Sequence, residues 1–230
     1  MSGNGPYMVT RLLELPLFQG ISQDDLSDIL GHTKLEFVRR HGGLPFVTAG
    51  QRCESLQFLI KGKMRAITYS DDRSYHVEEL LSAPAVLQPE CLFGLTQRYT
   101  QTCIASDRCD LLIISKSEIL KLSKSYEIFR FNLLNIITTQ VQRLAHKAWR
   151  PSPSTVHDKI CRFLGDHCRY PAGTKTFHIK MQTLATAIGE SRLNVSRELH
   201  AMEEEKLLTL SREQIHITNL EWLWSHARQA

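Results

Sequence analysis

At 230 residues and 26.4 kDa the chain has room for two modest domains and a connector, and for little more. Its 42% hydrophobic and 23% charged residues are ordinary for a globular protein with a core. The formal charge of +4 divides as +3 over residues 1–150 (18 basic, 15 acidic) and +1 over 151–230 (10 basic, 9 acidic), so a polyanion would be met by a few placed side chains and not by bulk charge. No run approaches 18 apolar residues, which excludes a membrane-spanning helix. Residues 1–16 lack the charged, apolar and small-residue sequence of a secretory signal, so the expected location is the cytoplasm. The six cysteines are scattered without a CxxC pair and read as buried, reduced thiols. No GxSxG, HExxH or Walker-type loop occurs, so neither catalytic residues nor a metal site is expected.

Residues 10–33 read as helical, with Ser22 as N-cap before Asp24, Asp25, Leu26, Ile29 and Leu30. From Leu35 to Ser115 short apolar runs alternate with turn residues, the pattern of a β-sandwich or roll. The runs are Phe37-Val38, Leu56 to Ile60, Met64 to Tyr69, Tyr75 to Leu81, Cys103 to Ala105 and Leu111 to Ile114. The clearest hairpin joins Lys63–Ser70 to Tyr75–Leu81 across Asp71-Asp72-Arg73-Ser74.

Residues 126–148 contain neither Gly nor Pro. Leu134, Ile137, Val141, Leu144 and Ala148 follow a 3, 4, 3, 4 spacing, a heptad seam suited to a partner helix. Phe129, Leu133 and Ile136 widen the apolar face over the first half only, so that end is expected to pack on its own domain. Pro151 and Pro153 then mark a linker. Beyond it come a helix at 155–168, a short strand at 177–179, helices near 181–188 and 192–205, and a hairpin of 207–210 with 214–218.

The most informative stretch is Leu184 to Leu199. Leu184 and Ile188 share a face, Ala185 permits a close helix crossing, and Gly189 stands where a tight interhelical turn needs positive φ. Val195, Leu199 and Met202 form the buried stripe of the second helix. Arg192, Leu193, Ser196 and Arg197 then project over an arc of about 140° at its N-terminal end. A recognition helix enters the major groove by that end, and arginines suit guanine O6 and N7. Ser191 can offer its hydroxyl and N–H to a phosphate. Glu203 to Glu205 lie at the far end, away from phosphates.

The segments LFQGISQDDLSDIL, FVTAGQRCESLQFLIKGKMRAITYSDDRSYHVEELL and LATAIGESRLNVSRELHAMEEEKLL stand in the order found in the Crp/Fnr superfamily of bacterial transcription regulators, which the chain from about Leu17 to Leu223 resembles. The resemblance implies an α+β protein in three parts. These are a jelly-roll-like, cyclic-nucleotide-binding-like β-roll sensor over residues 1–124, a dimerisation helix over 125–150, and a winged helix-turn-helix DNA-binding domain over 151–230. It implies double-stranded DNA, a second copy of the chain and RNA polymerase as partners, with DNA contacts at Ser191, Arg192 and Arg197. Three positions depart from the family pattern. Leu193 stands where many members read a cytosine amine with Glu, so the half-site should differ. Lys180 replaces the hydroxyl-bearing cap of the first helix, although a lysine still reaches a phosphate. Lys206 replaces a common Gly, with no evident functional meaning.

Cyclic-nucleotide binders of this family use a Gly-Glu-Leu stretch and a downstream Arg-Ser/Thr. The corresponding effector-pocket positions here are Gln88, Glu90, Cys91, Tyr99 and Thr100. Gln88 blocks close backbone approach, Pro89 lacks an N–H, and Tyr99 offers no guanidinium to a buried phosphate. The reading therefore disfavours cyclic AMP. An iron–sulfur sensor is disfavoured as well, because no cysteine precedes Cys53. Haem stays open as a cofactor through His32, His41, His76, Cys91 or Cys103. His157, Cys161, His167 and Cys168 share a helix, and Cys161 is better read as core than as a metal ligand. The alternative to a DNA-binding regulator is a ligand- or haem-binding sensor module whose helix-turn-helix is degenerate.

Overall fold

The computed structural model describes residues 12–147 and 149–226. Contacts divide the chain into two compact units, and they cut across the linear order. One holds the chain up to Met64 together with Leu81 onward through the long helix; the other holds Arg65–Leu80 and the chain from Trp149.

In the first unit, strands β1 (Leu35–Arg40), β8 (Cys109–Ser115), β3 (Ser55–Lys61) and β6 (Ala85–Leu87) form an antiparallel sheet in the order β1-β8-β3-β6. A second pairing joins β2 (Pro45–Val47) to β7 (Thr102–Ala105). Leu56, Phe58, Leu59, Leu111, Leu112 and Ile114 fill the interior. The β-roll reading holds, and it gains the three-residue strands β2 and β6, which are too short to show a period. The helical reading of residues 10–33 needs correction. Among the described residues Leu12 and Leu13 are helical, Pro16–Phe18 is a single 3-10 turn, Gly20 follows at φ 80°, and a separate helix α1 (Gln23–His32) is capped by Ser22 as expected.

Helix α2 (Lys116–Ser125) leads into α3 (Glu127–Lys147). Phe129 and Leu133 are buried, and Phe129 meets Phe18 edge-on at 5.4 Å. Further along, Leu134, Val141 and Leu144 are 50–65% exposed. The two-part face anticipated for this helix is therefore present: it packs on its own unit at one end and bears an uncovered seam at the other. Ala148, the last seam position, lies outside the described residues.

In the second unit, strands β4 (Lys63–Tyr69), β5 (His76–Ser82), β9 (Lys175–His178), β11 (Gln214–Ile217) and β10 (Thr209–Ser211) run in the order β10-β11-β9-β5-β4. Around them lie α4 (Val156–Asp166), α5 (Met181–Ile188), α6 (Arg192–Glu204) and α7 (Leu220–His226). The anticipated β4–β5 hairpin exists; Asp72 closes its turn by accepting hydrogen bonds from Ser70 Oγ, Ser74 N and Ser74 Oγ. Its pairing with β9 was not legible in the sequence. Val77, Phe177, Ile160, Leu164, Leu184, Val195, Leu199 and Ile215 share one core.

Candidate nucleic-acid interface

The helical hairpin is set by its caps. Lys180 is the N-cap of α5 without a side-chain hydrogen bond, while Gly189 ends that helix at φ 69° and ψ 37°. Ser191 caps α6, its Oγ accepting from Asn194 N at 3.1 Å, which leaves its own O–H as a donor. Val195, Leu199 and Met202 are buried to 1% or less, and Ala185 is fully buried. With the helix anchored on that stripe, Ser191, Arg192, Leu193 and Arg197 are exposed and Ser196 is half-buried. The structure thus brings these five together at one end of α6, with Lys180 exposed at the start of α5. Leu193, 67% exposed, is an apolar tip suited to a thymine methyl and unable to accept from a cytosine amine.

A cleft between this helical pair and the β10–β11 wing is lined by Lys180, Met181, Gln182, Arg192, Ser211 and Gln214. The wing is held by Glu203, whose carboxylate accepts from Leu210 N at 2.7 Å. So one member of the acidic run positions the wing. Two further acids near the reading end have local partners: Glu190 pairs with Lys159 at 2.6 Å, and Glu198 is held by His157 at 2.9 Å. The Lys159 bond, with help from Asn194, holds the Glu190 carboxyl below its usual range.

In the β-roll, Gln88 sits in the left-handed region at φ 43° and is 1% exposed. Its Oε1 accepts from Thr100 N (2.8 Å), Gln101 N (2.9 Å) and Thr100 Oγ1 (3.1 Å), and its Nε2 donates to Gln101 O at 3.2 Å. An amide oxygen therefore takes the donors that an anion entering here would need. Cys91 is buried beside it, its Sγ 3.9 Å from the same Oε1, and Glu90 adjoins Cys91. Tyr99 is turned inward, donating to Ser55 O at 3.0 Å, and its hydroxyl is pushed up by burial. Arg98 does not stand in for the missing guanidinium partner; it donates to Gly50 O at 2.7 Å on the surface. Among the candidate haem ligands, His32 pairs with Asp28 on the surface, and burial pushes the Cys103 thiol up to about 12.

His157, Cys161, His167 and Cys168 do not converge. His157 engages Glu198, His167 bonds Phe163 O at 2.7 Å, and the buried Cys161 thiol is pushed up to about 12. A different group, His76, Glu78 and His178, gathers three potential ligand atoms within 4.8 Å. Sequence reading missed it because its members lie about a hundred positions apart and only the β5–β9 pairing joins them.

Residues 158–225 match the Crp-like helix-turn-helix domain. Over 170 residues the chain is 25% identical to the cAMP-activated global transcriptional regulator Vfr of Pseudomonas aeruginosa, covering 70% of this chain and 79% of that protein. A transcriptional regulator of the Crp/Fnr family from Eubacterium rectale superposes with a TM-score of 0.52 at 19% identity, covering 94% of this chain and 99% of that one. The sensor domain of the transcriptional regulator DNR from Pseudomonas aeruginosa superposes at 0.52 and 17% identity, covering 66% and 98%. No helix among the described residues is long and apolar enough to cross a membrane. The helix-turn-helix is thus matched by sequence over residues 158–225, and the β-roll shares its fold with the sensor domain of a known transcriptional regulator.

Proposed function

We propose that the chain acts in the cytoplasm as a homodimer that reads a pseudo-palindromic DNA site through Ser191, Arg192, Leu193, Ser196 and Arg197. Lys180 supplies a phosphate contact, and RNA polymerase is a further partner. The observation that carries this is the two-sided α6: Val195, Leu199 and Met202 anchor one face, while both arginines stand exposed at the N-terminal end. Dimerisation is supported by the exposed Leu134, Val141 and Leu144 with the half-buried Ile137; Ala148 extends the same spacing. The sensor, connecting helix and reader divide the chain near 124 and 150, apart from Arg65–Leu80, which belongs to the compact unit of the reader.

Vfr is described as cAMP-activated. For this chain the Gln88 network supports a different controller, because the donors around Thr100 and Gln101 already have an internal acceptor. The decisive experiment selects a duplex from a randomised pool with the wild-type chain and titrates it by fluorescence anisotropy. Arg197→Ala and Arg192→Ala should each lose discrimination between the selected and scrambled duplexes by about tenfold or more, while Lys180→Ala weakens both equally. Full discrimination in Arg197→Ala would refute the assignment. Wild-type chain without salt-dependent duplex binding would favour a sensor module with a degenerate reader.

A further inference from the structure

His76 on β5 stands directly opposite His178 on β9, and Glu78 lies two residues further along β5 on the same face. The two imidazoles stack with centroids 4.1 Å apart and planes 10° from parallel. Glu78 divides its carboxylate between two tasks. Its Oε2 accepts from Arg65 at 3.2 Å, while its Oε1 faces both rings, 3.5 Å from His178 Nε2 and 3.9 Å from His76 Nε2. These separations are longer than an ordinary hydrogen bond. Two ligands held 2.0–2.1 Å from one tetrahedral zinc ion stand about 3.4 Å apart, so the spacing of Oε1 from each Nε2 suits an ion, while the stacked rings must splay for both in-plane lone pairs to converge on it.

We propose that His76, Glu78 and His178 form a binding site for a divalent first-row transition ion of the zinc type, one per chain, with water in the fourth position. Two imidazoles and one carboxylate oxygen suit such ions, whereas calcium and magnesium call for oxygen ligands alone. The three side chains are each 20–27% exposed, which leaves a face for the water and a path for the ion. Arg65 orients the carboxylate from behind by holding Oε2. His216, on the neighbouring strand β11, is engaged by Thr176 through its Nδ1 at 3.0 Å and is not one of the ligands. A bound ion would tie β5 to β9, so its binding energy would add to the stability of this pairing.

The test uses the full chain, stripped of metal and kept reduced, titrated with zinc chloride by calorimetry and with cobalt chloride by absorption. One ion per chain, a melting temperature that rises with zinc, and cobalt bands without a thiolate charge-transfer feature are expected. His178→Ala and His76→Asn should each abolish all three effects, and His157→Ala should abolish none. Because asparagine keeps a polar side chain of similar reach at position 76, His76→Asn keeps the test decisive where His178→Ala fails to fold. Absence of zinc binding by the wild type, retention in His76→Asn, or a thiolate band with cobalt would overturn the proposal.

Discussion

Lys175 Nζ lies 3.0 Å from Glu79 Oε1, and both side chains are fully buried. The two residues face each other across the β5–β9 pair, on the sheet face opposite His76 and Glu78. Burying two charges is costly, and the surroundings offset it with specific partners. Arg169 N and Tyr170 N donate to the Glu79 carboxylate at 3.1 and 3.0 Å, and Lys175 Nζ donates to Ala172 O at 2.8 Å. A slip of one residue would turn Glu79 to the other face and strand Lys175 in the core, so the pair sets the register of the strands.

Breaking this pair from one side should be far worse than removing it whole. Lys175→Met leaves a buried carboxylate without its cation and should cost about 3–5 kcal/mol, while the double replacement Glu79→Met with Lys175→Met should recover much of that loss. Urea unfolding of the three variants checks this. A single variant within about 1 kcal/mol of the wild type would contradict the account.

Lys206, the family departure without evident meaning, has a backbone explanation. It follows the end of α6 at φ 60°, its N–H bonding Glu203 O at 2.9 Å while Leu207 N reaches back to Met202 O at 3.0 Å. This is a left-handed helix stop where glycine is the unstrained residue. Lys206→Gly should therefore stabilise the chain by about 1 kcal/mol without changing DNA affinity. A lowered melting temperature would show that the lysine side chain contributes more than its backbone costs.

Local features were the legible ones. Ser22 and Gly189 were identifiable as cap and stop because helix ends depend on a few neighbouring residues, while Ser191, read as a phosphate contact, is the N-cap of α6 as well. The buried stripe of α6 followed from its period alone. Contacts made by distant strand pairing were not legible. His76 with His178 and Glu79 with Lys175 meet only through the β5–β9 register, which neither strand's own pattern specifies. The role of Gln88 was half visible. Its bulk signalled a blocked approach, but the hydrogen bonds to Thr100 and Gln101 needed coordinates.

Gln88 should behave as a structural plug. Gln88→Gly removes the shared acceptor of Thr100 N, Gln101 N and Thr100 Oγ1, and it should destabilise the β-roll by about 1–3 kcal/mol despite relieving the positive φ. Cyclic AMP should not restore the loss, since Arg98 remains directed at Gly50 O. Thermal melts with and without the nucleotide give the answer; rescue by cyclic AMP would reveal a latent nucleotide site.

The exposed seam of α3 gives a prediction about assembly. Val141→Glu and Leu144→Glu place charges at positions 58% and 65% exposed, so folding should be little affected. Association through the seam should fail, and binding to a two-half-site duplex should fall with it. Analytical ultracentrifugation distinguishes the outcomes, and an unchanged dimer in the double variant would place the interface elsewhere.

Acid should weaken the reader through two carboxyls. The Thr155 hydroxyl, which bonds Asp158 at the start of α4, holds that carboxyl below the usual aspartate range, and the Lys159 bond holds Glu190 below the usual glutamate range. Groups depressed in the folded state contribute stability above their ordinary values and lose it as pH falls through the folded ones. The wild type should accordingly show a falling urea midpoint below about pH 4.5. Glu190→Gln should flatten the upper part of that fall and Asp158→Asn the lower part, each starting from a lower midpoint at neutral pH. If both variants track the wild-type slope, the acid sensitivity arises elsewhere.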